Sequence, residues 1–468
     1  MQFTEIGIQN GKSQTPIQQL IRQQRDFFQT GQTQDLAFRR RQLKALQQAT
    51  LNHEAEILAA LKADLGKPVF EAYAADIGAI REIRYALKNL TDWAKPRRVP
   101  TALAAFPARS EVRPEPLGLV LIISPWNYPF QLFVVPLVSA IAAGNCAIVK
   151  PSELAPQTSR AIANLIRQTF EPQYISVVEG GVETSQALLQ ERFDHIFFTG
   201  GTAIGKVVMT AAAQHLTPVT LELGGKSPCI VDRYLHLQHA ARCITWGKFL
   251  NAGQTCVAPD YLLVHRSIKT ELLAAIAQNL QTFYGANPAQ SPDYARIVSA
   301  RHFERLVGLL EGQKIVVGGE RDAGDRYIAP TVLDGVSWDD AVMQEEIFGP
   351  ILPILEYEDL GEAIAQINAR PKPLALYLFS TDKATQNRVL RETASGGVGI
   401  NEMIIQAALP TLPFGGVGLS GMGKSHGKAG FDAFSNAKGI VSKPAWFDLK
   451  LRYAPYGNRI RFLKWLFR

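Results

Sequence analysis

One stretch without any charged residue restricts the folds that this chain can adopt. Residues 117–149 read LGLVLIISPWNYPFQLFVVPLVSAIAAGNCAIV and contain no Asp, Glu, Lys or Arg. A membrane-spanning helix needs about 20 consecutive apolar residues, but Pro125, Pro129 and Pro136 divide this run. The stretch therefore favours a buried strand, a turn, a helix and a second strand, as is typical of parallel α/β cores.

From residue 117 onward, strand-like apolar runs alternate with helical patterns. The sequence predicts strands at 118–124, 145–150, 174–178, 195–200 and 219–224, with helices at 133–143, 156–169, 183–191 and 203–213. This alternation predicts an α/β fold with a doubly wound, mostly parallel sheet. Ligands bind outside the carboxyl ends of the strands in such sheets, and the turns SPWNYP, KPSE, VEGG and TGGTAIGK all fall there.

A second α/β pattern follows Cys256 and predicts a second domain. The glycine-rich segment 409–440 has no core periodicity, so a surface loop and an arm against another subunit both fit it. The predicted division is a dinucleotide-binding domain at 1–95 and 116–222, a catalytic domain at 223–410, a small oligomerisation arm at 96–115 and 411–448, and a basic tail at 449–468.

Composition excludes several classes of protein. The four cysteines form no C-x-x-C pair, which argues against a disulfide framework or a structural zinc site and favours a reducing, cytoplasmic compartment. No metal site is predicted. The net charge of +7 is concentrated in residues 450–468, which contain six Lys or Arg and no acidic residue. Because the rest of the chain is close to neutral, a nucleic-acid partner is not expected.

Three reactive residues stand next to predicted strand ends or turns. Cys256 lies in NAGQTCVAPD, Glu222 ends the strand of LELGGKSP, and Asn127 lies between the prolines of SPWNYP. Each has an ordinary structural interpretation, as a buried thiol, a capping carboxylate or a turn-forming amide. A thiol needs a base or a lowered pKa to be a good nucleophile. The three residues therefore indicate a catalytic site only when they are taken together.

One glycine-rich loop has the right context to bind phosphate. GGTAIGKV, residues 200–207, follows a predicted strand and opens a predicted helix, whose N-terminal N–H groups can hold a phosphate. Val207 replaces the Ser or Thr that would bind magnesium in a P-loop, which favours a dinucleotide over a triphosphate hydrolase. The P-loop-like spacing in GVGLSGMGKS, residues 416–425, lacks this context and is interpreted as accidental.

Taken together, the motifs resemble the aldehyde dehydrogenase superfamily. The matching segments, in their order along the chain, are SPWNYP, KPSELAP, FTGGTAIGK, LELGGKSP, GQTCVAPD, QEEIFGPILP and LPFGGVGLSGMGKSHGKAGFDAFS. The short N-terminus, Tyr128 and the glycine-rich arm look most like the class 3, or fatty aldehyde, branch. That resemblance implies a homodimer that accepts NAD or NADP.

The resemblance also implies a mechanism. Cys256 would attack the aldehyde, with the oxyanion held by the Asn127 side chain and the Cys256 backbone N–H. Hydride transfer to the nicotinamide would leave a thioester, and Glu222 would act as general base for its hydrolysis. The positions implied for cofactor binding are Lys150, Glu153, Gly200, Gly201, Gly205, Glu346, Phe348 and Trp126. At Gly201 many family members have serine, so a phosphate contact there is either lost or supplied by the backbone alone.

Residues 457–468, GNRIRFLKWLFR, lie beyond the resemblance. As a helix they would place Arg461, Lys464 and Arg468 on one narrow face and mostly apolar residues on the rest. Such a segment is too short to span a bilayer but suits an interfacial helix on anionic lipid. Packing on the protein itself is the alternative. Membrane contact would bring the enzyme to a medium- or long-chain or apocarotenoid-like aldehyde.

Three other functions fit parts of the sequence. A CoA-acylating aldehyde dehydrogenase shares the thioester, but Glu222 argues for hydrolysis. A cysteine acyl-transferase or hydrolase needs a histidine, and a distant one such as His195 could approach Cys256 only through the fold. A catalytically inactive scaffold is disfavoured because Cys256, Glu222 and Asn127 are all present.

Overall fold

Pairing between apolar strands builds two main sheets in this computed structural model, which describes residues 15–102, 105–448 and 452–466. One sheet has six strands and the other seven, and the remaining strands form a three-stranded and a two-stranded sheet. Residues 1–14, which open the predicted first domain, lie outside the described residues. The domain boundaries at 222 and 410 stay a prediction.

Helices predominate before residue 95, and strands and helices mostly alternate after it. The helices are α1 (Pro16–Gln29), α2 (Leu36–Asn52), α3 (Glu54–Leu65), α4 (Val69–Ala75), α5 (Ile80–Ala94), α6 (Gln131–Ala143), α7 (Pro156–Thr169), α8 (Val182–Leu189), α9 (Thr202–Ala213), α10 (Leu237–Phe249), α11 (Lys269–Tyr284), α12 (Ala300–Gly308), α13 (Ala341–Gln344), α14 (Leu360–Asn368), α15 (Lys383–Glu392), α16 (Gly427–Ala433) and α17 (Ile460–Leu466). The strands are β1 (Arg97–Val99), β2 (Arg109–Pro116), β3 (Leu119–Ile123), β4 (Cys146–Lys150), β5 (Ile175–Val177), β6 (His195–Thr199), β7 (Val219–Glu222), β8 (Pro228–Val231), β9 (Tyr261–His265), β10 (Ile315–Val317), β11 (Arg321–Asp322), β12 (Tyr327–Ile328), β13 (Thr331–Leu333), β14 (Ile351–Tyr357), β15 (Ala375–Phe379), β16 (Gly397–Ile400), β17 (Gly421–Met422) and β18 (Ser435–Ser442).

The first sheet has the strand order β17-β7-β6-β3-β4-β5, and its five strands from β7 to β5 are parallel. The chain runs outward from β3 through β4 to β5, then returns to the other side of β3 to form β6 and β7. This reversal confirms the predicted doubly wound arrangement. The crevice at such a switch point, between β3 and β6 in this sheet, is where ligands bind in open α/β sheets.

The uncharged stretch forms the centre of this sheet. Every residue of β3 and β4 is buried, and α6 between them is buried from residue 133 to residue 143. Pro125 and Pro129 lie in the loop that follows β3, and Pro136 lies inside α6. A strand and helix covered on both faces need no polar face, which explains the absence of charge.

The second sheet has the order β10-β13-β14-β9-β8-β15-β16 and is parallel except at β10. Its own buried core includes Phe249, Tyr261, Leu352 and Tyr377. The carboxyl end of β7, in the first sheet, is followed after five residues by β8 in the second. The loop 223–227 therefore connects the two sheets.

The glycine-rich segment forms strands rather than a plain surface loop. Its residues Gly421 and Met422 form β17, which pairs antiparallel with β7 and places Gly421 opposite Glu222. Farther along, β18 pairs with β2, which also pairs with β1, in a three-stranded antiparallel sheet. The segment thus connects the edge of the first sheet to a separate small sheet.

The basic tail contains a short helix. The helix α17 covers seven residues, and Ile460 and Trp465 are 56% and 73% exposed. Within the described ranges, no helix combines the length and apolarity needed to cross a bilayer.

A buried ion pair joins the N-terminal helices to the start of α6. Lys67 Nζ lies 2.8 Å from Asp76 Oδ2, and it also donates to the Asn127 carbonyl at 3.0 Å. Asp76 Oδ1 accepts from the N–H groups of Phe130 and Gln131, each at 3.2 Å. A carboxylate at a helix N-terminus is stabilised by the helix dipole, so this pair fixes where α6 begins.

Replacing Lys67 by Met is expected to destabilise the protein by about 3–5 kcal/mol, because Asp76 is left buried and charged without its partner. The midpoint of urea unfolding, followed by far-ultraviolet circular dichroism, measures the loss. Lys95→Met is the matched control, since Lys95 forms an exposed pair with Asp92 and surface pairs contribute little. Equal midpoints for the two variants would contradict the prediction.

Candidate active site

The turn that carries Cys256 is held in an unusual backbone conformation. Asn251, Ala252 and Gly253 have consecutive φ angles of 52°, 52° and 73°. An added β-carbon on Gly253 would lie 2.2 Å from the Gly349 carbonyl oxygen, so only glycine fits there. Such strain persists where the surroundings fix it. In this turn Glu71 accepts the Asn251 N–H at 3.0 Å.

The Gln254 side chain fixes the same turn from the other direction. Its Nε2 donates to the carbonyls of Asn251 at 3.0 Å and Arg296 at 2.9 Å, while its Oε1 accepts the Val298 N–H at 2.9 Å. All three bonds come from one buried amide. The polar residues before Cys256 therefore hold the turn in place.

Cys256 is half-buried and lines a cavity of about 500 Å³. Burial, together with the like charge of the Glu346 and Glu222 carboxylates, raises the pKa of its thiol to about 12. The backbone N–H groups of Cys256 and Val257 act in the opposite direction. The thiol is therefore protonated near neutral pH, and two carboxylates approach it closely enough for their charges to matter.

Asn127 is buried beside the Cys256 turn. Its Nδ2 donates to the Gln254 carbonyl at 3.1 Å, and its own carbonyl accepts from Asn251 Nδ2 at 3.0 Å. Within the described ranges, the Asn127 amide has this one acceptor, so its second N–H is available to another oxygen. The predicted amide is thus bonded to the backbone two residues before the predicted thiol.

Glu222 is buried at the carboxyl end of β7. Burial raises the pKa of this carboxyl group to about 7, while the Ser425 hydroxyl and the charge of Lys424 act against that rise. Its Oε1 accepts a hydrogen bond from Ser425 Oγ. A carboxyl group with a pKa near neutrality can both accept and release a proton at physiological pH.

Ser425 and His426 are site residues that the sequence patterns did not predict. Ser425 Oγ lies 2.9 Å from His426 Nδ1, and His426 lines the same cavity as Cys256. The sequence offered one weak signal, two polar residues inside a glycine-rich segment without core periodicity. Their position depends on the pairing of β17 with β7, which no local pattern shows.

Apolar side chains form most of the cavity wall. They include Leu132, Trp246, Leu250, Val257, Phe283 and Phe414. Phe70 also lines the cavity but is 80% exposed, which marks the mouth. Tyr128, on the wall, is hydrogen-bonded to Thr255 Oγ1 at 2.7 Å. The cavity leads from solvent to the thiol and falls in the size range of small-molecule sites.

The predicted phosphate loop begins α9 as expected. Gly201 is the N-cap residue of this helix, and Gly205 lies in its first turn. A β-carbon on Gly205 would lie 2.7 Å from Leu223, whereas Gly201 has open space around it. A β-carbon on Gly200 would meet the Phe198 ring at 2.5 Å. The loop therefore presents backbone N–H groups with few side-chain atoms in front of them.

Lys150 and Glu153 stand as an ion pair near the end of β4. Their Nζ and Oε2 atoms are 2.7 Å apart, with the lysine buried and the glutamate partly exposed. Burial opposes ionisation of Glu153, but the hydrogen bond and charge of Lys150 outweigh it and lower the pKa. The glutamate is therefore ionised at neutral pH.

Trp126 packs against Phe348, which lies two residues after Glu346 in the chain. The rings of Trp126 and Phe348 are 5.3 Å apart and nearly perpendicular. The Glu346 carboxylate packs on Gly224, where a β-carbon would lie 2.0 Å from Oε2. Burial raises the pKa of Glu346 to about 8, with Asp260 adding to the rise.

Two buried hydroxyls without a hydrogen-bond partner among the described residues show whether the switch point between β3 and β6 suits a dinucleotide. In the described part of the chain, the buried atoms Ser124 Oγ and Thr199 Oγ1 have no hydrogen-bond partner. They lie at the carboxyl ends of the adjacent strands β3 and β6. Buried hydroxyls normally find partners, so these two fit a polar ligand at the switch point.

The structure does not bring His195 to the thiol. His195 Nε2 is 3.1 Å from Thr220 Oγ1, and its ring packs on Phe434 at 4.9 Å. Over residues 15–102, 105–448 and 452–466, no group of three or more His, Cys, Asp or Glu side chains is placed to hold a metal ion.

Comparisons with known proteins agree with this geometry. The family model "Aldehyde dehydrogenase family" matches residues 4–440. The chain is 51% identical over 455 residues to 4,4'-diaponeurosporen-aldehyde dehydrogenase of Staphylococcus aureus, covering 97% of this chain and 99% of that protein. It is 47% identical over 442 residues to "Aldehyde dehydrogenase, dimeric NADP-preferring" of Canis lupus familiaris, covering 94% and 98%. A solved structure, "Substrate bound state of Staphylococcus Aureus AldH", superposes with a TM-score of 0.95 at 50% identity, covering 97% and 100%.

Replacing Glu346 by Gln is expected to speed the alkylation of Cys256 by iodoacetamide at pH 9. Glu346 is ionised at that pH, so its removal lowers the thiol pKa and increases the thiolate fraction, and we expect roughly threefold faster alkylation. Peptide mapping of Cys256 measures the rate. Glu345→Gln is the matched control because that side chain is 61% exposed. Equal Cys256 rates in both variants would count against a charge effect of Glu346.

Proposed function

The chain belongs to the aldehyde dehydrogenase family, and from that premise we propose that it oxidises a long, apolar aldehyde with Cys256 as the nucleophile. It is an NAD(P)-dependent aldehyde dehydrogenase. One observation carries the residue assignment: Cys256 lines an apolar cavity, and the buried Glu222 lies near enough for its charge to raise the thiol pKa.

The Cys256 S–H bond breaks as its proton passes to water in the cavity, Sγ attacks the aldehyde carbon, and the carbonyl electron pair moves to oxygen. The second N–H of Asn127 and the backbone N–H of Cys256 donate to that oxyanion. Preorganised donors of this kind lower the barrier because they need no rearrangement as charge develops. The buried network around Gln254 supports this role, since it holds both donors in place before substrate arrives.

Bound NAD or NADP supplies the acceptor for the hydride that leaves the former aldehyde carbon. The groups proposed to hold it lie around the switch point of the first sheet. The α9 N-terminus would bind the phosphates, and Ser124 and Thr199 offer hydroxyls that have no partner among the described residues. The full proposed set is Lys150, Glu153, Gly200, Gly201, Gly205, Glu346, Phe348 and Trp126.

The Lys150–Glu153 pair supports binding of either NAD or NADP. An ionised glutamate accepts a hydrogen bond from the ribose 2′-hydroxyl and repels a 2′-phosphate, which favours NAD. The adjacent Lys150 ammonium, 2.7 Å away, offsets part of that repulsion. We therefore expect a preference for NAD that is weaker than an unpaired glutamate would give.

Glu222 acts in the second half of the reaction. Its carboxylate takes a proton from water, the water oxygen attacks the thioester carbon, and the C–S bond breaks to release the acid. A group with a pKa of about 7 is ionised above that pH and able to accept the proton, and it loses this ability below it. A carboxylate in this position supports hydrolysis rather than acyl transfer to CoA.

The apolar cavity wall supports a long hydrocarbon substrate. Burying one methylene stabilises binding by about 0.8 kcal/mol, so each added carbon inside the cavity favours a longer aldehyde. The name of the Staphylococcus aureus relative includes a diaponeurosporen-aldehyde. We propose a medium- or long-chain or apocarotenoid-like aldehyde as the substrate class.

Steady-state rates with a series of straight-chain aldehydes and each cofactor test the substrate class. We expect kcat/KM to rise about fourfold per added methylene until the cavity is filled. The measurement is the appearance of NADH or NADPH. No reduced cofactor at any chain length would overturn the function, and equal kcat/KM across the series would overturn the substrate class.

Two substitutions separate the two halves of the reaction in the same assay. Cys256→Ser should abolish turnover, whereas Cys243→Ser, a control thiol on α10, should leave it unchanged. Glu222→Gln should give one burst of reduced cofactor and then stall at the thioester. A steady wild-type rate in Glu222→Gln would count against Glu222 as the base.

We also propose a homodimer and a membrane-surface location in the cytoplasm. The strand β18 is mostly exposed at the edge of the three-stranded sheet, and such edges favour pairing. The dimeric relative from Canis lupus familiaris supports this. Four free cysteines fit a reducing compartment. In α17, Arg461 and Lys464 lie three residues apart on one face, which suits anionic lipid.

A protein that ends at Lys443 separates these two proposals, because it keeps β18 and lacks the tail. We expect it to sediment as a dimer, like the full chain. We also expect it to stay in solution when the full chain floats with phosphatidylglycerol vesicles. Phosphatidylcholine vesicles are the control for charge. Equal flotation of both proteins would exclude the tail as the lipid contact, and a monomeric full chain would exclude the dimer.

A further inference from the structure

We propose that Ser425 and His426 form a proton relay that carries the proton from Glu222 to water in the aldehyde cavity. The relay rests on the proposed role of Glu222 as general base. It would complete the cycle, since a base that has taken a proton from water must lose it before the next turnover.

The three side chains form an unbroken hydrogen-bonded row. Ser425 Oγ contacts Glu222 Oε1 on one side and lies 2.9 Å from His426 Nδ1 on the other. A serine hydroxyl donates one hydrogen bond and accepts others at the same time. It can therefore take a proton from one neighbour while it gives its own to the other.

Glu222 has few other routes for its proton. The residue is 4% exposed, and Ser425 is the one side chain that hydrogen-bonds its carboxylate in the described part of the chain. Lys424, the nearby cation, instead donates to the carbonyls of Gly396, Gly415 and Gly416. The path through Ser425 is thus the hydrogen-bonded exit that the described residues provide.

His426 connects this row to the cavity. Its ring lines the cavity and packs edge-on against Phe414 at 5.2 Å. The backbone of His426 has φ of 69°, a range in which residues with a side chain are uncommon and glycine is at ease. A side chain kept at a strained position next to a reactive group indicates that the imidazole itself is used.

A purely structural role for the imidazole is less consistent with the contacts. The turn has its own anchor, because Glu82 Oε1 accepts the Gly427 N–H at 2.6 Å. Ser425 is also fixed through its backbone, which pairs in both directions with Phe414. The turn is therefore held without the imidazole.

The proton transfers balance around the row. The Glu222 carboxyl O–H bond breaks as its proton moves to Ser425 Oγ, and the original Ser425 proton moves to His426 Nδ1. The imidazolium then gives its Nε2 proton to cavity water, and Glu222 is again a carboxylate. Rotation of the hydroxyl and tautomer exchange through that water restore the starting arrangement. No electrons are transferred and no further reactant is needed.

The pKa values of Glu222 and His426 favour passage of a proton through His426 over its retention there. Burial raises the pKa of Glu222 to about 7 and lowers the pKa of His426 to about 4. The imidazolium is therefore short-lived and passes its proton on. Lys424 is the charged group that acts on Glu222, and Glu82 lies behind the turn at Gly427.

The decisive variant is His426→Asn. An asparagine amide can keep a hydrogen bond to Ser425 but cannot take up and release a proton. We expect the first turnover to proceed as in the wild type, because Glu222 begins it as a carboxylate. In later turnovers the Cys256 thioester should decay about tenfold more slowly, because Glu222 keeps the proton that it has taken up. Acid quenching and mass spectrometry of the Cys256 peptide measure that decay. Decay at the wild-type rate would overturn the relay.

Matched variants separate proton transfer from packing. His195→Asn changes another buried histidine that is hydrogen-bonded to a hydroxyl. Its Cys256 thioester should decay at the wild-type rate. Ser425→Ala should slow decay, and Ser425→Thr, which keeps the hydroxyl, should restore it. Slow thioester decay in Ser425→Ala together with normal decay in His426→Asn would show that Ser425 only positions Glu222. That result would overturn the relay.

A rescue experiment covers the case in which His426→Asn folds poorly. In His426→Ala, added imidazole should speed thioester decay, whereas pyrazole, a weak base of the same shape, should not. Rescue by both would indicate cavity filling and overturn the relay. Glu222→Gln distinguishes the two proposals. Thioester decay at the wild-type rate in Glu222→Gln would exclude Glu222 as the general base. A stalled thioester in Glu222→Gln together with normal decay in His426→Asn would exclude only the relay.

Discussion

The ammonium group of Lys67 is the contact on which the geometry of the active site depends. It is buried between Asp76 and the Asn127 carbonyl, 4.0 Å from the centre of the Tyr128 ring. Tyr128 in turn is hydrogen-bonded to Thr255, the residue before Cys256. Removing a charge from such a site leaves its partners buried without compensation. One cation therefore links the N-terminal helices, Asn127 and the turn that carries Cys256.

Much of the fold could be predicted from local patterns, because a segment that is buried on both faces has a continuous apolar sequence without charges. The uncharged run 117–149 became β3, α6 and β4, and each predicted strand end in the first sheet lies within a few residues of the observed one. The glycine-rich segment has no such pattern. Whether Gly421 joins a sheet depends on the free edge of β7, about 200 residues earlier, and a short glycine strand carries no periodicity of its own.

The candidate site shows the same division. Cys256, Glu222 and Asn127 could be selected because their motifs resemble a known family. The structure places Asn127 against the Cys256 turn and brings Glu222 close enough for its charge to act on the thiol. Ser425 could not be selected, since its importance comes from an oxygen atom that reaches it only in the folded chain. The raised pKa values of Glu222 and Cys256 could not be predicted from the sequence either. Burial is the largest cause of each rise, and burial is known only from the folded chain.

The pairing of β17 with β7 has a consequence for the life of the protein on the ribosome. Glu222 and Ser425 are 203 residues apart in sequence, and ribosomes add about 5–20 residues per second. A growing chain therefore exposes the Glu222 edge of its first sheet for about 10–40 s before the strand that covers it is made. During that interval the edge is open to other strands, which makes the nascent first sheet a natural client for chaperones.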